Sequence, residues 1–182
     1  MKPTGQKITL QSINRMDRSE FVEALGGIFE CSPWVAEGAW TLRPFASVRE
    51  LHEAMMGIVR GAPQDRIDSL LLAHPDLGTR LAVSGYSAAE QQSAGLSRLT
   101  QEEYERFHDL NKRYVGKFGF PFILAVRGKS KSDILAAMQE RISRSAAEER
   151  ERALSEIGWI AGFRLADLIH NENDEPGRTD LC

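Results

Sequence analysis

The sequence is short of several things. Only two cysteines occur in 182 residues, Cys31 and Cys182, and they form no CxxC pair. That argues against a cysteine-based zinc site and fits a reducing compartment. No apolar run approaches the roughly 20 residues needed to span a bilayer. The opening MKPTGQKITLQSINRM has no apolar core of the kind an export signal carries. Neither sign of charge dominates: 23 Lys and Arg against 26 Asp and Glu leave a formal −3, which gives no electrostatic reason to expect nucleic acid as a partner. A glycine-rich phosphate loop, an internal repeat and a low-complexity tract are all missing, and the ending TDLC is not the peroxisomal Ser-Lys-Leu. The compartment these absences favour is the cytoplasm.

What is there reads as one soluble domain. At 42% hydrophobic and 27% charged residues, the chain can bury a sizeable core without disulfides or a structural metal. Helix-start signals dominate. Asp17 precedes RSEFVEALGGIF, in which Phe21, Leu25 and Phe29 share a helical face. Ser32 and Pro33 read as an N-cap followed by proline in the first helical position, and Ser47 with Glu50 as a capping box. A helix over Gln64 to Ala73 should stop at His74-Pro75, because the residue before proline disfavours helical backbone. Thr100 with Glu103 opens a segment that Gly119 closes; Ser132 caps DILAAMQERISR; Ser145 with Glu148 opens a long final helix. The stretch around residues 118–128, FGFPFILAVRG, has no helical period and holds a central proline. The expected architecture is all-α, a single helical domain over residues 1–170 with an extended apolar connector at 118–128, followed by a polar tail over 171–182.

Three places strain the local rules. His74 ends an apolar helix just before Pro75, with Asp76 and Gly78 as turn residues; it reads either as an imidazole capping a helix C-terminus or as a working acid/base. His52, His108 and His170 sit in or beside ordinary helices and read as surface residues. Ser87 and Glu90 have capping-box spacing, yet with Gln91 they also suit a pocket at a helix N-terminus. Arg164 shares a helical stripe with Ile157, Ala161 and Leu168. A guanidinium there must be paired or face a polar cavity, so a buried salt bridge and a ligand-binding arginine both remain open. An imidazole, a carboxylate and a guanidinium beside an extended segment with free amides could hold a small planar anion and move one proton.

Four segments, AHPDLG (73–78), SAAEQQSAGL (87–96), LNKRYVGKFGFPFILAVRG (110–128) and GFRLADLI (162–169), occur in this order. Together with the opening LQSINRMDRSEFVEALGGIFECSPWVAEGA, the set resembles the family of OHCU decarboxylase, where OHCU is 2-oxo-4-hydroxy-4-carboxy-5-ureidoimidazoline. The resemblance covers residues 8–169. It implies an all-α fold, commonly a homodimer, working without a metal or organic cofactor, and the loss of carbon dioxide from OHCU to give (S)-allantoin, the last step from urate to allantoin. By that resemblance His74 is the acid/base, and Glu90 and Arg164 act with it in catalysis. Pro75 and Leu77 shape the pocket, Ser87 and Gln91 join Glu90 in holding the ureido and imidazoline groups, and Phe122, Ile123 and Leu124 offer backbone amides. Two other readings stand beside this one. The first is a non-catalytic helical module binding an allantoin-like ligand. The second is a metal-dependent hydrolase, which lacks a plausible ligand set.

Overall fold

The computed structural model describes residues 7–79 and 85–170; the polar tail expected over 171–182 lies outside the described residues. In chain order the elements are β1 (Ile8–Thr9), α1 (Leu10–Arg15), α2 (Arg18–Leu25), α3 (Trp34–Trp40), α4 (Val48–Arg60), α5 (Gln64–Leu72), α6 (Gly85–Ser93), α7 (Gln101–Phe118), α8 (Lys131–Arg141), α9 (Ala146–Leu168) and β2 (Ile169–His170). The helical reading therefore holds. The two strands pair in parallel with Ile8 opposite Ile169, and this short ladder ties the start of the described chain to its end.

Capping chemistry sets most helix starts. Asp17 with Glu20, Thr100 with Glu103 and Ser145 with Glu148 form reciprocal boxes, each side chain satisfying a backbone N–H that the first turn leaves over. Ser47 accepts from Glu50 N, but Glu50 reaches back to Ala46 N instead of the cap, so this box is half built.

Four local expectations are corrected. The cap of α8 is Ser130, because the acid that completes its box is Asp133; Ser132 lies inside the helix. Pro33 is itself the cap of α3, with helical backbone and no side-chain cap bond. Ser87 lies within α6, which starts at Gly85, so its hydroxyl is free to bond elsewhere. The helix α2 ends at Leu25, leaving buried Phe29 in the turn beyond it.

The long helix α9 is the spine on which the site is assembled. Its buried stripe carries Ala153, Ile157, Ala161, Arg164 and Leu165. At Gly158 it lets α4 approach closely: an added Cβ would stand 3.3 Å from Met56. Here His52 Nε2 donates to Gly158 O at 2.7 Å, so this histidine, expected at the surface, is half-buried and fastens two helices. His108 and His170 are exposed as expected.

After α7, closed by left-handed Gly119 at φ 78°, the chain runs extended. Phe120 and residues 122–126 are buried; Phe118 still belongs to the last turn of α7, and with that shift of boundary the extended connector stands as expected. A buried backbone needs partners, and a charged network supplies some. Arg141 Nη1 donates to Ile123 O at 2.9 Å, and Ala125 N donates to Glu156 Oε2 at 2.9 Å. Arg141 is held in turn by Glu149, which also accepts from Tyr114, while Arg152 grips Glu156. Successive residues of an extended chain direct their backbone groups to alternate sides. With Ile123 and Ala125 taken by the network, Leu124 N–H faces the other way, and it makes no hydrogen bond among the described residues.

Glu149 and Glu156 are fully buried, so the network holds only as a set. Arg141→Ala should lower the unfolding free energy by roughly 3–5 kcal/mol, because it takes the close cation from the fully buried Glu149. Urea denaturation checks this, and a loss below about 1 kcal/mol contradicts the network's role.

Candidate active site

Leu124, released toward the far side of the connector, lines a small cavity. Its other walls are His74, Pro75, Leu77, Ser87, Glu90, Gln91, Ile123, Val126, Ile160 and Arg164. Of the residues expected at the site, only Phe122 lines no part of it. Its ring is fully buried among Tyr114, 5.1 Å away and edge-on, and the Arg141 guanidinium, 4.4 Å from its centroid. Val126 and Ile160 are additional apolar walls. The cavity is about 30 Å³, room for little more than a water molecule. A larger cleft of about 380 Å³, flanked by Asp76, Tyr104, His108 and Asn111, adjoins the same 76–79 turn but contains none of the expected site residues.

The turn carrying His74 is built for one shape. Helix α5 ends at Leu72, and Pro75, with no N–H and a fixed φ, turns the chain away. Gly78 follows at φ 69°, where a side chain is disfavoured and a Cβ would come within 2.9 Å of Phe107. Gln91 clasps this turn from α6, accepting from Gly78 N at 3.1 Å and donating to Asp76 O at 3.2 Å. Asn111 donates to Leu77 O at 2.8 Å. Gln91 therefore lines the cavity while its amide is engaged with backbone.

His74 makes the capping contact and also lines the cavity. Nδ1 lies 2.8 Å from Leu70 O, the helix-capping contact. A carbonyl only accepts, so Nδ1 carries the proton and the neutral ring keeps Nε2 as an acceptor. Burial drives its pKa down from 6.5 to about 4; the Leu70 contact and Glu30 oppose that shift, and Arg164 adds to it. The imidazole is neutral at neutral pH.

Arg164 forms the buried salt bridge and also borders the cavity. Its side chain is 2% exposed, yet it forms part of the cavity wall. Nε and Nη2 grip Glu90 in a two-pronged pair at 2.7 and 2.8 Å. Nη1 donates to Ile28 O at 3.2 Å and to Glu30 Oε2 at 3.3 Å, while Nη2 also reaches Glu30 and Ser87 at 3.3 Å. Burial alone would lower the arginine's pKa; hydrogen bonds and charge from Glu90 and Glu30 outweigh it and raise the pKa. Ser87 donates to Glu30 at 2.7 Å. Glu30 is the residue the sequence reading missed. It stands in the turn after α2, where no helical period marks it; the one local signal is an acid directly after the apolar Phe29.

The arrangement is a neutral imidazole acceptor, an arginine held between two carboxylates, and, on an apolar wall, an amide that makes no hydrogen bond among the described residues. The chemistry of this set suits a small planar molecule rich in carbonyl oxygens, and its neutral imidazole can take up a proton; seating such a molecule requires the walls to give way. Among the described residues no three His, Cys, Asp or Glu side chains gather where a metal ion could be held.

The chain is similar to proteins of known family and structure. The family model for OHCU decarboxylase matches residues 14–166. A 2-oxo-4-hydroxy-4-carboxy-5-ureidoimidazoline decarboxylase of Haloferax volcanii is 46% identical over 166 residues, 91% of this chain and 99% of that protein. The uric acid degradation bifunctional protein PucL of Bacillus subtilis is 46% identical over 173 residues. That alignment takes in 95% of this chain but only 34% of PucL, so the chain spans about a third of this relative. The crystal structure of an (S)-allantoin synthase superposes with a TM-score of 0.74 at 34% identity, covering 89% of this chain and 54% of that one. On the family match and the near full-length relative, the chain belongs to the OHCU decarboxylase family.

Proposed function

We propose that this protein is a carboxy-lyase that decarboxylates OHCU to (S)-allantoin, the last step from urate to allantoin, without a cofactor. The observation that carries the reading is the single cavity wall shared by His74, Glu90 and Arg164. The catalytic groups are His74, Glu90 and Arg164. Pro75, Leu77, Ser87, Gln91, Ile123 and Leu124 shape or contact the bound molecule, and Phe122 supports the connector from behind.

Breaking the bond to the carboxylate leaves an electron pair on the ring carbon as carbon dioxide departs. The substrate accepts that pair itself, because an adjacent carbon–nitrogen double bond can delocalise it; this is why no external electron sink is needed. The net reaction takes up one proton for each carbon dioxide released. In this reading His74 Nε2, unprotonated at neutral pH, accepts the hydroxyl proton and returns a proton to carbon on one face. Arg164 and the Leu124 N–H stabilise negative charge on the carbonyl side. Glu90 orients the ureido N–H groups. Delivery from one face accounts for a single enantiomer.

The protein is also proposed to act in the cytoplasm as a homodimer. Two observations support this: Cys31 is an exposed free thiol, and Trp159 and Phe163 expose large apolar surfaces one turn apart on α9. No helix among the described residues is long and apolar enough to cross a membrane.

Circular dichroism of OHCU freshly generated from urate tests the activity. The protein should bring up the (S)-allantoin signal far faster than the spontaneous, racemic decay. His74→Ala should cut turnover by about 10²–10⁴-fold while keeping its helical spectrum. Near-normal turnover in that variant contradicts the role of His74. A second outcome concerns stability. Below pH 6.5 the unfolded chain gains a proton that folded His74 refuses until about pH 4. Stability should therefore fall as pH drops through that window, by up to about 3 kcal/mol from this group. The stability difference between wild type and His74→Ala, followed by urea titration from pH 7 to 4, should show that slope; a flat difference contradicts it.

A further inference from the structure

Arg164 has two carboxylates where charge balance needs one. All five N–H donors of its guanidinium are taken within the protein. The cavity beside it is too small for anything beyond a water. A ligand that engages Arg164 must therefore displace one of its partners, and the geometry distinguishes them.

Glu90 lines the cavity and is 24% exposed. Glu30 does not line it, is 12% exposed, and approaches from the opposite end of the chain. Glu30 sits in a tight turn, closed by Ser32 N donating to Phe29 O at 3.2 Å. Ile28, Phe29 and Ser32 are all buried, which anchors the turn on both sides of Glu30. Its next residue, Cys31, has φ 46°, a left-handed backbone that non-glycine residues adopt only when their surroundings enforce it. The turn presents to Arg164 two acceptors at once, the Glu30 carboxylate and the Ile28 carbonyl. It also fixes Ser87, whose hydroxyl donates to the same Glu30 oxygen.

We infer that Glu30 is a positioning residue for the proposed reaction: it is the permanent counter-charge of Arg164, and Glu90 is the exchangeable one. When a ligand enters, Glu90 swings off the arginine to meet it. Arg164 stays neutralised and aimed by Glu30 and Ile28 O, so a buried cation is never left bare. Without Glu30, Glu90 becomes the arginine's sole carboxylate and is held in place.

This inference rests on the proposed function, and its test separates the two. Binding of (S)-allantoin, a neutral ligand whose charge does not enter the comparison, is measured by calorimetry on the full chain and on Glu30→Gln, alongside steady-state decarboxylation. Glu30→Gln keeps an acceptor for Ser87 but removes the charge. The dissociation constant and KM should rise about tenfold or more, with kcat changed much less. A merely structural role would lower Tm and leave affinity alone.

Stability gives an activity-independent arm. Glu30→Gln and Glu90→Gln should each lower Tm by about 2–4 °C, and the double variant by clearly more than the sum, because only then is Arg164 unpaired. Unchanged allantoin affinity and KM in Glu30→Gln, additive Tm losses, or an allantoin complex in which Glu30 is displaced while Glu90 stays overturns the inference. A wild-type chain that neither turns over OHCU nor binds allantoin overturns the functional reading instead, while the Tm cycle still decides which carboxylates neutralise Arg164.

Discussion

The constraint on which the rest of the site depends is a guanidinium buried on the inner face of α9. Arg164 cannot sit there without counter-charge, and the fold brings that charge from two distant stretches of chain. Glu30 comes from the turn after α2 and Glu90 from α6, separated from the arginine by 134 and 74 positions. The pairing therefore does more than neutralise. It sets where α6 lies against α9, and α6 in turn carries Gln91, which clasps the backbone of the turn beyond His74. The ion pairs thus bear on the arginine directly and, through α6 and Gln91, on the turn beyond His74.

A second buried network, centred on Arg141, Glu149 and Glu156, does the corresponding work for the extended connector. By occupying the backbone groups of Ile123 and Ala125 it turns those of Leu124 the other way. Two costly charge clusters thus flank one apolar segment, and the cavity lies between the segment and the first cluster. Buried charge is poor evidence of stability by itself. Here its structural consequence is orientation: hydrophobic residues could fill the same volume but could not direct a backbone amide.

Much of this was legible in the sequence, for identifiable reasons. Helix starts announced themselves where an acid stands three residues after a capping side chain, as at Asp17, Thr100 and Ser145. Where two serines competed, at 130 and 132, the position of Asp133 decided, and reading the nearer serine was the error. The connector was legible because a central proline and the loss of periodicity leave no helical alternative. Arg164 was legible because a charge on an apolar stripe needs a reason. Glu30 was not, since it lies in a turn between helices and its partners are remote. Glu149 and Glu156 were hidden in a run of charged residues that resembles a solvated face. The signal that marks them is spacing, because Glu149, Ala153 and Glu156 fall on the same side of α9 and all three are fully buried.

The proposed role of His74 requires a buried, neutral imidazole whose Nε2 is free to meet a ligand. Nitrogen-15 NMR of the imidazole, followed from pH 7 to pH 4 with and without (S)-allantoin, tests it most directly. The expected result is a proton on Nδ1 and none on Nε2 at neutral pH, a titration midpoint near 4, and a displacement of the Nε2 resonance when allantoin binds. A ring that titrates near 6.5, the value of an unburied histidine, and does not respond to allantoin would contradict it.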